Sequence, residues 1–172
     1  NYLYWCLQTY CLEQQKGALL HSSIGFDATI TALFTPLLGG QTVFLVSADQ
    51  EIDALATALL TCDNFSLVKL TPAHLKLLDS LISIKQLTHK QLIFVIGGEA
   101  LTKDSVFPWV IHAPDTRLIN EYGPTETVVG CCVYEVRPHE PLSDVVPIGR
   151  PIINTQLYIL DAHLQPVPIG VP

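Results

Sequence analysis

The chain has 172 residues, 49% of them hydrophobic and only 15% charged, enough apolar material for one sizeable core in one domain or subdomain. Its net charge of -7 argues against nucleic acid, whose phosphates need a Lys/Arg footprint, and predicts that the cations for any phosphate-bearing ligand lie mostly outside this segment. No apolar run of about 18 residues and no charged-then-apolar leader occurs, so neither a membrane span nor export is expected.

The five cysteines (Cys6, Cys11, Cys62, Cys131, Cys132) are odd in number and form no CxxC pair, which predicts a reduced, cytoplasmic chain. Cys131-Cys132, next to Val133, reads as packing rather than chemistry. There is no methionine, and the chain stops in the turn-like Ile169-Gly170-Val171-Pro172, so an excerpt of a longer chain is expected.

In chain order, Ala18 to Ile24 reads as a strand. Asp27 to Leu38 reads as a helix capped by Asp27, with Ile30, Leu33, Phe34 and Leu37 on one face. Gly39-Gly40 ends it, and Thr42 to Val46 is a β-branched run fit for a buried strand. Glu51 to Leu60 is helical and Phe65 to Leu70 is a strand, after which Thr71-Pro72 opens another helix with proline in the first position. Leu92 to Ile96 is the clearest strand and runs into Gly97-Gly98-Glu99. Thr102 to Ile111 is helical despite Pro108, and Arg117 to Asn120 is a short strand leading to Tyr122-Gly123-Pro124. Residues 128–172 hold several prolines and extended apolar stretches but no good helix. Strand–helix alternation over residues 18–120 predicts an α/β fold: a mostly parallel sheet with helices on both faces and ligands at the carboxyl ends of the strands. Phe26-Asp27, Lys69, Gly97-Gly98-Glu99 and Asn120-Glu121 fall at those ends.

Gly97-Gly98-Glu99 is either a plain turn or a place where a ligand approaches the backbone; it is not GxGxxG, and no Walker GxxxxGK[ST] is present. Asn120-Glu121-Tyr122-Gly123-Pro124-Thr125-Glu126 displays a ring, a hydroxyl and two carboxylates around a tight turn. Tyr122 can stack on a flat base, Thr125 can donate to a phosphate oxygen and Glu126 can hold Mg²⁺ beside phosphates. The alternative is a solvated turn with Thr-Glu capping.

Asn120 to Glu126 matches the NxYGPTE motif of nonribosomal peptide synthetase adenylation domains residue for residue. Phe26-Asp27 resembles their FDx(S/T) motif and Gly97-Gly98-Glu99-Ala100 their GGE(A/S) strand end. Val146-Pro147-Ile148-Gly149-Arg150-Pro151 and Asn154 to Asp161 resemble the stretch that follows. The Asp of Phe26-Asp27 and the Tyr-Gly-Pro-Thr-Glu spelling favour this branch over acyl-CoA synthetases and luciferases. The resemblance implies a flavodoxin-like subdomain over residues 1–127, holding the amino-acid pocket, and a β-rich continuation of an incomplete adenylation core over residues 128–172.

It also implies roles. Tyr122 would lie against adenine opposite the Gly98-Glu99-Ala100 backbone, and Asn120 would recognise the adenine amino group. Thr125 would contact the α-phosphate and Glu126 would bind Mg²⁺, so these two carry the catalytic part. Asp27 would pair with the α-ammonium of the substrate, a charge-assisted contact that separates amino acids from plain carboxylic acids. The pocket positions implied are Asp27, Ala28, Thr31, Lys69, Val95, Gly97, Glu121, Val129 and Gly130.

Most of these are small or apolar, leaving one polar corner at Lys69 and Glu121. Lys69 is a charged residue inside Leu67-Val68-Lys69-Leu70; it either reaches solvent from an edge or is paired. Paired with Glu121 it offers a donor and an acceptor, which suits a side-chain carboxamide. Asparagine is therefore expected, with aspartate second. The six histidines show no ligand spacing and read as surface or strand-end residues; His21, near Phe26-Asp27, is the one worth testing.

The implied reaction joins an amino acid and MgATP into aminoacyl-AMP and pyrophosphate, then transfers the aminoacyl group to the phosphopantetheine thiol of a partner carrier domain. Carrier-protein and condensation domains, and the rest of the adenylation domain, are the expected partners. A phosphate loop with its lysine would precede Asn1; a ribose-binding Asp and a lid with a catalytic lysine would follow Pro172. The segment alone is thus expected to be inactive. Three rivals are a non-catalytic specificity module, an acyl-CoA synthetase piece, which leaves Asp27 without a purpose, and a flavodoxin- or receiver-like binding protein, which leaves Asn120–Glu126 unexplained.

Overall fold

The computed structural model describes residues 1–10, 16–47 and 51–170; Cys11, Val171 and Pro172 lie outside the described residues. Strands β1 (Ala18–Leu20), β2 (Val43–Leu45), β3 (Leu67–Leu70), β4 (Ile93–Ile96), β5 (Arg117–Tyr122), β6 (Cys132–Val136) and β7 (Arg150–Pro151) form one sheet in the order β2-β1-β3-β4-β5-β6-β7. The first five strands are parallel, whereas β6 and β7 add on antiparallel to β5. The helices are α1 (Tyr2–Thr9), α2 (Thr29–Leu38), α3 (Glu51–Thr61), α4 (Pro72–Leu81) and α5 (Lys103–His112). Among the described residues no helix is long and apolar enough to cross a membrane.

β3 and β4 are buried along their whole length because helices cover both faces of the sheet, as the apolar runs Leu67–Leu70 and Ile93–Ile96 require. Side chains alternate between two cores. Val68, Leu70, Phe94, Ile96 and Leu118 pack with Leu55 and Leu59 of α3, Leu75 and Leu78 of α4 and Trp109 of α5. Leu67, Ile93, Val95 and Ile119 pack on the other side with Tyr2, Trp5 and Cys6 of α1 and Ala32 of α2. α4 starts as its sequence dictates. Pro72 takes the first turn, the Thr71 hydroxyl accepts from the His74 amide at 3.2 Å, and the Thr71 amide donates to His74 Nδ1 at 3.2 Å.

Four expectations need correction. Asp27 does not cap α2: the cap position is Ala28, in helical conformation with no side-chain bond. The buried face of α2 is Thr29, Thr31, Ala32, Thr35 and Pro36, not Ile30, Leu33, Phe34 and Leu37. Small side chains are needed where α2 lies close on the sheet and on α1, so the bulky residues point away, and Phe34 and Leu37 are exposed. Thr42–Val46 is not a buried strand, because β2 is the sheet edge and Leu45 is 77% exposed. β1 stops at Leu20 instead of running to Ile24, since Ser23 to Phe26 fold into a turn closed by the Phe26 amide on the Ser23 carbonyl at 3.0 Å.

Candidate functional site

β3, β4 and β5 run parallel in register, with Lys69 beside Val95 and Ile96 beside Asn120. Alternation puts Lys69, Val95, Gly97 and Glu121 on the α1/α2 face at the carboxyl end of the sheet. Lys69 and Glu121 are two strands apart, a gap of about 10 Å between backbones. Their side chains meet over β4 because Gly97 stands between them: a Cβ there would come within 3.5 Å of Lys69 Nζ and 2.6 Å of the Glu121 carbonyl.

The Lys69 ammonium donates to Glu121 Oε1 in a buried ion pair. The carboxylate also receives the Tyr2 hydroxyl, at 3.0 Å from each oxygen, and the Tyr10 hydroxyl at 3.2 Å on Oε2. Tyr2 is bonded in turn to the Thr31 hydroxyl at 2.6 Å. Gly130 closes the back of this arrangement; a Cβ there would lie 2.5 Å from Glu121 Cδ. Burial, and after it the charge on Glu121, holds both phenols well above their usual ionisation, so Tyr2 and Tyr10 stay neutral and act as donors. Burial also pushes the nearby Cys6 thiol up to about 12.

Lys69 is therefore paired and not an edge residue reaching water. Thr31, expected to line the pocket, is fully buried and acts through Tyr2. Val95 is fully buried and Val129 half-buried in the same cluster. Asp27 and Ala28 are half-buried in the turn that leads into α2, outside this bonded group, with the Ile30 amide on the Asp27 carbonyl at 2.9 Å.

The other expected residues occupy the same sheet end. Asn120 faces the opposite side, where its Nδ2 donates to the carbonyls of Val146 at 3.3 Å and Pro147 at 2.9 Å. Both amide hydrogens are thereby engaged, and Oδ1 is the side-chain acceptor. The register brings Gly98 and Tyr122 out of the sheet side by side. Gly98 has φ +94, a conformation that suits glycine, and Gly98, Glu99 and Ala100 are exposed, as are Tyr122, Thr125 and Glu126. Tyr122 is the last residue of β5, and the turn after it is fastened by the Thr127 amide on the Pro124 carbonyl at 3.0 Å and the Cys131 amide on the Tyr122 carbonyl at 2.8 Å. Among the described residues no group of three His, Cys, Asp or Glu could hold a metal on its own. One carboxylate with a neighbouring hydroxyl suits Mg²⁺ that arrives on phosphates rather than a resident ion.

A profile of AMP-binding enzymes matches residues 1–172. The chain belongs to the AMP-binding enzyme family. Tyrocidine synthase 3 of Brevibacillus parabrevis is 38% identical over 171 residues, covering 99% of this chain and 3% of that protein. The fold superposes on the nonribosomal peptide synthetase FmoA3 in its α-methyl-L-serine-AMP-bound form with a TM-score of 0.86 and 25% identity, over 98% of this chain and 19% of that one. Holo-PA1221, a protein containing adenylation and PCP domains bound to a vinylsulfonamide inhibitor, gives a TM-score of 0.78 and 26% identity over 90% of this chain and 26% of that one. This AMP-binding chain thus spans a small fraction of the relatives it matches and corresponds to part of an adenylation domain of the nonribosomal synthetase type.

Reading the AMP-binding chain by its motifs missed α1. Tyr2, Trp5, Cys6 and Tyr10 recur at helical spacing, a stripe that could have flagged a buried helix, and two of them turn out to hold Glu121. Of the histidines, expected at the surface or at strand ends, His21 does stand at a strand end, just past Leu20 of β1. His21 is buried, its Nε2 lies 2.8 Å from the Lys69 carbonyl, and it meets the half-buried His74 edge to face at 4.9 Å. It ties the end of β1 to β3 directly behind Lys69.

Proposed function

We propose that this segment supplies the amino-acid pocket and part of the ATP site of an adenylation domain that converts an amino acid and MgATP to aminoacyl-AMP and pyrophosphate. The activated acyl group then passes to a phosphopantetheine thiol on a carrier domain of the same synthetase, next to which a condensation domain would act. The flavodoxin-like part spans residues 1–127 and its β continuation residues 128–172. The carboxylate attacks the α-phosphate, so the protein mainly positions reactants and stabilises charge. Tyr122 and the Gly98–Ala100 backbone bound the adenine, Asn120 accepts from its amino group, and Thr125 donates to the α-phosphate. Glu126 would hold Mg²⁺, whose charge would offset that of the phosphates. Asp27, at the head of α2, takes the α-ammonium.

The amino acid is asparagine, with aspartate second. One observation carries this: the buried Lys69–Glu121 pair, the polar corner of a set otherwise made of Ala28, Val95, Gly97, Val129 and Gly130. A carboxamide offers a carbonyl to Lys69 and an NH₂ to Glu121. An aspartate side chain sets a second carboxylate against Glu121, and a leucine or phenylalanine leaves both charges without a ligand partner.

ATP–pyrophosphate exchange by the full-length protein, across the twenty amino acids, tests the proposal. Asparagine should lead; a preference for leucine or phenylalanine rules out the specificity, and no exchange with any amino acid rules out the activity. The 172 residues expressed alone should show no exchange, because the phosphate-loop lysine and the lid lysine implied by the family are not among them.

A further inference from the structure

Glu121 receives more donors than a specificity contact needs. Besides Lys69 it is bonded by Tyr2 of α1 and by Tyr10 just past the end of that helix, neither of which belongs to any motif discussed above. Tyr2 has a single proton, which points at Glu121, so the 2.6 Å contact with Thr31 is the threonine hydroxyl donating to the phenol oxygen. The chain of donation runs Thr31 to Tyr2 to Glu121, in a fully buried layer.

We propose that Tyr2, ordered by Thr31 and joined by Tyr10, is a positioning and specificity-determining residue whose hydroxyl holds the Glu121 carboxylate aimed at the substrate side chain. The inference rests on the asparagine reading above and deepens it. Lys69 from β3, Tyr2 from α1 and Tyr10 just past its end all donate to Glu121; the Cys6 thiol of α1 and the Arg117 guanidinium of β5, whose charge acts on Tyr10, are further titratable groups nearby. Thr31 from α2 and the glycines 97 and 130 contribute no charge. Without the Tyr2 hydroxyl, Glu121 keeps Lys69 but is held by one donor fewer, so its carboxylate can turn and the pocket discriminates less sharply against aspartate. The missing bond also loosens the carboxylate against an asparagine NH₂.

The test uses the full-length protein with Tyr2→Phe, Tyr10→Phe, Thr31→Val and Thr31→Ser. Exchange is followed with asparagine and with aspartate, each varied separately. Tyr2→Phe should raise the KM for asparagine about tenfold with kcat within about twofold of the parent, the loss of one hydrogen bond to an ion. Its aspartate-to-asparagine ratio should rise above the parent's. Thr31→Val should shift the same way and Thr31→Ser should restore the parent values. Unchanged KM and ratio in Tyr2→Phe overturn the inference, as does a fall in kcat and thermal midpoint with KM unmoved, the mark of lost packing alone. If Tyr2→Phe does not fold, Tyr10→Phe and Thr31→Val carry the same readouts. A parent that prefers leucine or phenylalanine defeats the asparagine reading separately. Tyr2→Phe is then assayed across all twenty amino acids: an altered profile keeps Tyr2 as the residue that positions Glu121, and an unaltered one overturns it.

Discussion

The Lys69 ammonium and the Glu121 carboxylate form an ion pair across an intervening strand, with side chains only 7% and 0% exposed. Taking two charges out of water is costly, and here the cost is offset by their mutual attraction and by the hydroxyl donors to the carboxylate. Such a pair is poor value as mere structural support, because apolar residues of similar volume serve a core as well or better. A donor and an acceptor side by side at the carboxyl end of a parallel sheet do suit a ligand.

Lys69→Met removes one charge and leaves Glu121 buried without its partner. Stability should fall by about 3–5 kcal/mol. The double variant Lys69→Met, Glu121→Leu should recover most of that loss, while asparagine activation stays abolished. Denaturant unfolding of the three proteins measures the first, and pyrophosphate exchange the second. A single variant as stable as the parent would contradict the buried pair.

Gly130→Ala places a methyl where the Glu121 carboxylate lies, 2.5 Å from Cδ. The carboxylate must turn away, so kcat/KM for asparagine should drop at least about tenfold, the scale of one lost charge-assisted bond. The KM for ATP should hold, since Asn120 and Tyr122 stand elsewhere at the sheet end. Steady-state exchange with either substrate varied separates the two.

Alkaline pH should destabilise the fold. Burial raises Cys6 from 9.0 to about 12 and raises Tyr2 and Tyr10 well above 10.0, in each case favouring the protonated group in the folded state. Their stabilising contribution is full below the unfolded values. Above them the unfolded chain binds fewer protons than the folded one, so stability declines with rising pH and is lost as the folded groups ionise. The thermal midpoint should begin to decline above about pH 9, and Cys6→Ala should make the decline shallower. Equal slopes in the two proteins would contradict a shifted thiol.

Thiol labelling should discriminate by burial. Cys62 is exposed, whereas Cys6, Cys131 and Cys132 are buried free thiols, and burial first, then the neighbouring Cys131, raises Cys132 to about 11. Brief maleimide treatment and peptide mass spectrometry should find Cys62 modified and the other three protected until denaturant is added.

Much of the framework is legible in the residues. Leu67–Leu70 and Ile93–Ile96 are continuous apolar runs, which only a doubly covered parallel sheet can bury, and both are buried throughout. Thr71-Pro72 announces the start of α4 because capping is local chemistry. The motif at Asn120–Glu126 marks its sheet end for the same reason: short-range turn geometry is written in adjacent residues. α2 misled because its apolar stripe is real but turned away from the sheet; only its neighbours decide which stripe of a helix is buried.

Residue order alone determined the alternating α/β architecture, the sheet end where the chemistry-bearing residues gather, and the resemblance of their motifs to an adenylation domain. The tertiary structure alone decided that Lys69 is paired rather than solvated, that Thr31 works through Tyr2, and that α1 closes over Glu121. Tyr2 and Glu121 are 119 positions apart, as Lys69 and Glu121 are 52 apart. Contacts over such separations depend on strand order and register, which local propensity does not encode and only packing of the whole sheet fixes.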